Sequence, residues 1–142
     1  MEFIEIKNPP EFTLEVERWT RKTKGNGDEM AKVIAKLLNN SIYNKSENER
    51  QEHVTRITLA ASGWAGNSAP YTQTLTVSGA KESMEPILVS ALADGASEDV
   101  QKAYSKAFGI VSSGTASVGD GTATFKVYKK PVVDIMVGLK GV

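Results

Sequence analysis

The sequence has no cysteine and only one histidine among its 142 residues. Without cysteine the chain can form no disulfide framework, no thiolate metal site and no cysteine nucleophile. The single histidine, His53, also excludes metal sites built from two or three histidines. We therefore expect no metal and no other cofactor.

An excess of charge of either sign is also missing, since 17 basic residues balance 17 acidic ones. A chain without net charge has no long-range field that attracts nucleic acid or an anionic membrane. The one basic cluster, Arg18 to Lys24, contains Trp19, and such a mixture of cations and an aromatic ring is one way to hold single-stranded nucleic acid. Nothing else extends this patch, so we interpret it as a solvated connector and expect no nucleic-acid partner.

Long apolar runs are absent too, and none approaches the length that spans a bilayer. The N-terminus, "MEFIEIKNPPEF", carries acids where a secretory signal peptide carries its basic region. We therefore expect neither membrane insertion nor export by the general secretory route. A hydrophobic content of 40% and a charged content of 24% are typical of a folded chain, with room for one compact domain plus an appendage.

Residues 1–50 are predicted to form an arm followed by an assembly or attachment helix. The two prolines in "KNPP" favour an extended arm. The segment "FTLEVE" then alternates apolar and polar residues, which predicts a short, half-buried strand. Its apolar face consists of Phe12, Leu14 and Val16, and its polar face of Thr13, Glu15 and Glu17.

A helix should begin near Asp28, because Asp28 and Glu29 place carboxylates at its positive end. Apolar residues then recur at three- and four-residue spacing and form one stripe. The stripe consists of Met30, Val33, Ile34, Leu37, Leu38 and Ile42. Since such a stripe needs a cover, we predict that it is an interface between copies of the chain. Beyond Tyr43 the sequence is polar, typical of a frayed helical extension or a linker, and we place the boundary between the two segments there.

Residues 54–142 are predicted to form an antiparallel β domain, because the apolar pattern changes from a period of 3.6 to a period of 2. The strand candidates are "VTRITLAA", "YTQTLTVSG", "PILVSAL", "GTATFKVYKK" and "VVDIMVGLK". The pair Asp120-Gly121 favours a tight hairpin in which "IVSSGTASV" pairs with the strand after it. In that strand, Ala123, Phe125 and Val127 should face the core.

One helix is predicted within this domain, over about residues 97–108. Its apolar residues are Val100, Ala103, Tyr104, Ala107 and Phe108. Ser97 is the expected N-cap, and Gly109 the expected C-terminal end. The fold class is thus α+β: an N-terminal arm and helix, then a small antiparallel sheet or sandwich with one packed helix, whose threonine-rich face is left for solvent or a neighbouring subunit.

Groups able to carry out catalysis are few. Ser78 and Lys81 satisfy the S-x-x-K pattern, but its companion motifs are absent. Asp134 is the one carboxylate in an apolar run, and it shares its parity with Val132 and Met136, which favours an outward or interface position. His53 lies at a polar junction and is interpreted as solvated. We therefore predict no enzyme, with a small cell-wall glycan hydrolase as the second alternative.

The stretch "ASGWAGNSAPYTQTLTVSG" allows two interpretations of its tryptophan. Trp64 and Tyr71, with Asn67 between them, form a candidate ligand-contact site, because aromatic faces stack on sugar rings. The first alternative function is accordingly a carbohydrate-binding module. In the other interpretation Trp64, held by two glycines, closes the end of a small core. We favour this one, since Tyr71 shares a face with Leu75 and Val77.

The segments "GWAGNSAPYTQTLTVSG", "EPILVSAL", "AYSKAFGIVSSG" and "ATFKVYKKPVVDIMVGLKGV" together resemble a domain of tail-fibre and baseplate-appendage structural proteins. These proteins belong to phages and prophages of Gram-positive bacteria, especially clostridial ones. The resemblance covers roughly residues 55–142. A weaker likeness covers Trp19 to Ile42, where "GDEMAKVIAKLLNNSI" resembles a segment that precedes or anchors such domains.

The resemblance implies a non-enzymatic protein of the virion tail, a fibre, baseplate appendage or receptor-binding component. It implies self-association, commonly as a homotrimer, and the helical stripe would fit a short three-helix bundle. Further implied partners are other tail or baseplate proteins and a host cell-surface glycan. Assembly would take place in the cytoplasm of the bacterial host.

Overall fold

The computed structural model describes residues 3–18, 20 and 25–142, and the chain divides into two compact units, Met1–Arg50 and Gln51–Val142. The predicted α+β class is confirmed: the described residues contain two α-helices and two antiparallel sheets of three strands, with one helix packed on the sheets. The division between the units falls near the end of the first helix.

Helix α1 spans Gly27–Glu52. It begins where Asn26 accepts a hydrogen bond from the Asp28 backbone N–H at 3.0 Å, so Asn26 is the cap, with the predicted acids in the first turn. The helix continues well beyond Tyr43. Ion pairs one turn apart, such as Lys45 with Glu49, accompany this polar extension.

The strand predicted for residues 12–17 is wrong. No strand is present among residues 3–18, and Leu14 is 89% exposed. The side chain of Asn40 pairs instead with the backbone of Thr13: its Oδ1 accepts from the Thr13 N–H at 2.7 Å, and its Nδ2 donates to the Thr13 carbonyl at 2.8 Å. A helix side chain therefore takes the place of a neighbouring strand, and the apolar side chains of the segment are left uncovered.

The second unit contains two sheets, each with antiparallel pairing throughout. The strands are β1 (Val54–Leu59), β2 (Tyr71–Thr76), β3 (Ile87–Ser90), β4 (Thr115–Gly119), β5 (Thr122–Val127) and β6 (Ile135–Lys140). One sheet has the order β1-β6-β3 and the other β2-β5-β4. All five strand candidates contain a strand, and β4 pairs with β5 across the Asp120-Gly121 turn as predicted.

Helix α2 spans Glu98–Ser112, which corrects the predicted end of the helix. Gly109 does not end it, because the next turn carries Val111 into the core, where only 4% of its surface is exposed. Residues 110–112 are thus helical, and β4 begins only at Thr115. Ser97 occupies the N-cap position, but its side chain makes no capping hydrogen bond.

The core lies between the two sheets and α2. Its most deeply buried side chains are Leu59, Val77, Val127, Ile135 and Val137. Ala123, Phe125 and Val127 of β5 are all buried, as their parity predicts. The Tyr104 hydroxyl fixes α2 to the sheet, since it accepts from the Ala91 N–H and donates to the Met136 carbonyl, both at 2.8 Å.

Candidate functional site

The predicted interface residues of α1 lie on one side of the helix. At about 100° per residue, Met30, Ile34, Leu37 and Leu38 fall within an arc of about 100°. Between 36% and 52% of each of these four residues is exposed. Val33 and Ile42 lie at the margins of the arc and are half-buried. We call the four exposed residues the apolar face of α1.

The N-terminal arm binds the opposite side of the helix. Asn39, which is 7% exposed, accepts from the Lys7 N–H at 2.9 Å and donates to the Ala35 carbonyl at 2.8 Å. Asn40 holds Thr13, as described above, and Glu17 forms an ion pair with Lys36 at 2.5 Å. The ring centroids of Phe12 and Tyr43 are 5.6 Å apart. The arm therefore covers polar side chains and leaves the apolar face of α1 open.

Unit Met1–Arg50 buries no apolar side chain of its own among its described residues, since every buried hydrophobic residue lies in Gln51–Val142. Ten large apolar residues of the first unit are instead exposed. They are Phe3, Ile4, Ile6, Phe12, Leu14, Val16, Met30, Ile34, Leu37 and Leu38. At about 200 Å² for each whole residue, their exposed fractions amount to on the order of 1,000 Å². These residues do not form one patch, because the arm lies on the side of α1 opposite its apolar face. The four residues of the apolar face alone expose about 370 Å² by the same measure, which is the size of the largest apolar patch on a typical monomer, about 300–600 Å², and such patches are often functional.

Trp64 is only 4% exposed and belongs to the core of the second unit. Its indole faces are therefore closed to a sugar ring, which favours the core interpretation over ligand contact. Its Nε1 has no hydrogen-bond partner among the described residues, and neither has Oε1 of the buried Gln73. The sequence placed Gln73 on the core face of β2 by parity, but its polar side chain gave no indication of burial.

Tyr71 and Asn67 lie closer to solvent than Trp64. Tyr71 is half-buried, and Lys130 Nζ lies 4.6 Å from the centre of its ring, so one ring face is already covered by a cation. The same ammonium donates to the Gly66 carbonyl at 3.3 Å. Asn67 is exposed in the loop that joins Trp64 to Tyr71. The three candidate ligand-contact residues thus present no shared aromatic platform.

The four residues considered for catalysis are all exposed, and one of them has a structural contact. Asp134 is exposed and accepts from the Ala61 N–H at 2.7 Å, at the start of the short 3-10 helix Ala61–Gly63. Ser78, Lys81 and His53 are exposed. In residues 3–18, 20 and 25–142 no group of three or more histidine, aspartate or glutamate side chains could hold a metal ion. Asp134 therefore has a structural role at the 3-10 helix.

The basic cluster lies mostly outside the described residues, which exclude Trp19 and residues 21–24. Within the described part of the chain, no helix is long and apolar enough to cross a membrane. On the threonine-rich face, Thr74 and Thr76 are exposed, and the hydroxyls of Thr74 and Thr124 are 2.8 Å apart across the sheet. This hydrogen bond joins β2 to β5 on the outer side.

Comparisons with protein-family models, with curated proteins and with solved structures give no match for this chain. The site must therefore be interpreted from its own geometry. Its principal feature is the apolar face of α1, which the spacing of the sequence predicted. Nothing in the sequence pattern singled out Asn39 and Asn40, whose amides hold the backbone of the arm on the other side of the helix.

Proposed function

We propose that the chain is a non-enzymatic structural protein of a phage or prophage tail, in which α1 joins copies of the chain and the β unit forms a tip or decoration. The observation that carries the proposal is the open apolar face of α1 on a unit whose described residues include no buried apolar side chain. In proteins most of a helix's stability comes from packing of its apolar face, so this face needs a cover. Another copy of the same face supplies that cover.

The area of the apolar face fits a small contact between copies. A standard protein interface buries about 800 Å² on each partner, whereas the four residues of the apolar face expose about 370 Å², at about 200 Å² for each whole residue. The apolar face ends at Leu38, because the next residues on the same side, Ser41 and Lys45, are polar. The contact between helices is therefore short, which fits a bundle of a few copies. Three copies is the number suggested by the resemblance to tail-fibre proteins.

Light scattering coupled to size exclusion tests the association. We expect the full chain at high micromolar concentration to have a mass near three times 15.3 kDa. Leu37→Asp places a charge in the centre of the apolar face, so we expect it to yield the monomer. The matched control is Val132→Asp, which changes an 88% exposed residue of the other unit and should keep the wild-type mass. A wild-type monomer would contradict the proposal.

The place of the protein in a virion needs a separate experiment. Particles produced by a bacterium that encodes the chain can be labelled with an antibody raised against it and viewed by electron microscopy. We expect label at the tail or baseplate, and cross-links from the chain to other tail proteins. Particles that form normally without label, or normal assembly after deletion of the gene with no loss of host adsorption, would count against the proposal.

A further inference from the structure

A groove opens between the two sheets at the edges of β3 and β4. Its volume is about 620 Å³, within the range of ligand-binding clefts. Side chains of the core form its floor: Val111, Ala123, Phe125 and Leu139. Pro86 and Leu88 line one wall, and residues 115–118 line the other. The floor residues are 1–4% exposed, so the core itself is closed, and the accessible apolar surface of the groove is that of the half-buried Leu88 and Val118 in its walls.

Each strand beside the groove has one edge without a partner strand in the described chain. Natural sheets protect such edges with charges, prolines or bulges. β3 reads "ILVS" and β4 reads "TASVG", so neither contains a charged residue or a proline, and Ile87 is 64% exposed. On the β3 side, Glu85 and Pro86 directly precede the strand and line the groove together with Glu82, so the unprotected edge is that of β4, and a free edge beside a groove has the geometry that an added strand requires.

The pairing of β4 with β5 shows which of its backbone groups are available. Gly119 and Thr122 close a two-residue turn, so they form a hydrogen-bonded pair, and such pairs alternate along an antiparallel ladder. The N–H and C=O groups of Ala116 and Val118 therefore point away from β5. Their side chains share the face of Phe125 and Ala123, with which they are paired.

We propose that this groove receives residues 12–17 of a second copy as an added strand. The segment alternates apolar and polar side chains with the period of a strand, yet forms no strand on its own helix. Its apolar side chains are exposed: Phe12 at 46%, Leu14 at 89% and Val16 at 36%. In the groove these three side chains pack against the half-buried Leu88 and Val118 of the walls, and the intervening Thr13 and Glu15 face solvent.

The contacts that hold the segment on α1 are few enough to be exchanged. They consist of the part-buried hydrogen bonds between Thr13 and Asn40, the Phe12–Tyr43 ring contact and the solvent-exposed Glu17–Lys36 ion pair. The inference rests on the proposed function only in that α1 brings copies together and raises the local concentration of the arm. The arm of a second copy is the proposed occupant because its apolar side chains are exposed and this association raises its local concentration.

Cross-linking tests this placement directly, because the chain contains no cysteine. Glu15→Cys and Ser117→Cys are prepared in chains of different mass, mixed, incubated and treated with a short bismaleimide. We expect a cross-linked species containing one chain of each kind, several-fold above a control that pairs Glu15→Cys with Ser105→Cys on the exposed side of α2. A double variant that cross-links only within one chain would assign the groove to the chain's own arm and overturn the proposal, as would the absence of cross-links.

Binding of a peptide to the groove gives a second readout on a chain whose β unit is intact. A chain lacking residues 2–18 is titrated with a labelled peptide of residues 10–18, and we expect binding that weakens about tenfold or more when Leu14 of the peptide is Asp. Ala116→Pro removes an outward N–H without touching the ladder to β5, so it should abolish binding while circular dichroism stays unchanged. Equal binding of both peptides would overturn the proposal.

The two proposals fail in different ways. If Leu37→Asp yields a monomer but the wild type gives no intermolecular cross-link, the helix interface stands and the strand addition is wrong. If Leu37→Asp leaves the mass unchanged while the cross-link forms, the arm alone joins the copies and the helix interface is wrong.

Discussion

Two glycines at the end of α2, Gly109 and Gly114, have opposite surroundings. A Cβ on Gly114 would lie 2.2 Å from the backbone oxygen of Lys126, whereas a Cβ on Gly109 would meet nothing within 4 Å. We expect Gly114→Ala to lower the free energy of unfolding by about 1–3 kcal/mol, because a backbone atom of β5 must shift. Gly109→Ala, the control, should raise it by about 0.5–1 kcal/mol, since alanine favours the helix. Urea unfolding of both variants measures the difference, and equal effects would contradict the placement of Gly114 against β5.

Glu17 shows how a single charge contributes to holding the arm. The hydrogen bond from Lys36 lowers the pKa of the Glu17 carboxyl below its ordinary 4.5. A carboxyl with a lowered pKa stabilises the folded state above the unfolded pKa, and this contribution is lost as the pH falls through the folded pKa. The arm contact is therefore expected to hold at neutral pH and to weaken in acid below about pH 4.5.

A carboxyl titration followed by NMR checks this expectation. In Lys36→Met we expect the midpoint of Glu17 to rise toward 4.5, and in Lys45→Met, which lies farther along α1, to stay at the wild-type value. Added salt should raise the Glu17 midpoint of the wild type part of the way toward 4.5, since the ion pair is exposed to solvent. Equal Glu17 midpoints in the wild type and in Lys36→Met would show that the ion pair does not form.

At the level of elements, the arm depends on the paired amides of α1. Asn40→Ala removes both hydrogen bonds to the Thr13 backbone, and each such bond contributes about 0.5–1.5 kcal/mol. We expect the Thr13 amide to exchange with solvent roughly fivefold or more faster, measured by NMR. Asn40→Asp keeps the acceptor oxygen, so its Thr13 exchange rate should lie between those of the wild type and Asn40→Ala. Asn44→Ala, an exposed residue one turn on, serves as the control and should leave the rate unchanged.

The same elements show how far periodicity predicts a structure. The alternation in β5 predicted its buried side chains, because the core imposes that period directly. The spacing in α2 predicted the packing of Ala107 and the partial burial of Ala103, Tyr104 and Phe108, but Val100, at the start of the helix, is 53% exposed. The alternation of residues 12–17 predicted a strand that does not form, since a period of 2 indicates a tendency to pair but does not supply a partner strand. Gly109 misled because packing of Val111 outweighs the small cost of one glycine in a helix.

The candidate site was predictable only in part, for a related reason. The apolar face of α1 depends on residues within one helix, so spacing alone brings Met30, Ile34 and Leu37 together. The groove depends instead on sheet order, which places β3 beside β6 across a long stretch of sequence and leaves β3 and β4 as edge strands that line one groove. The hydrogen bond from the Thr13 N–H to Asn40 likewise joins residues 27 positions apart. No local pattern encodes either arrangement.

For the whole molecule, the two units should unfold in different ways. The second unit has its own core, so most of its stability is independent of concentration and only binding of a second copy's arm adds a concentration-dependent part, whereas the first unit gains its stability from association and follows mass action. In a Trp19→Phe chain, Trp64 is the only tryptophan and reports the second unit, while circular dichroism at 222 nm also reports α1. For a trimer, a hundredfold rise in concentration stabilises each α1 by about 2 kcal/mol, and we expect the midpoint of the helical transition to rise by roughly 10–20 °C. The Trp64 transition should move by much less, since arm binding adds only its own free energy to a unit that already has a core, and Leu37→Asp should abolish the helical shift. A helical midpoint that is independent of concentration in the wild type would mean that α1 is stable without a partner, and its open apolar face would then need another explanation.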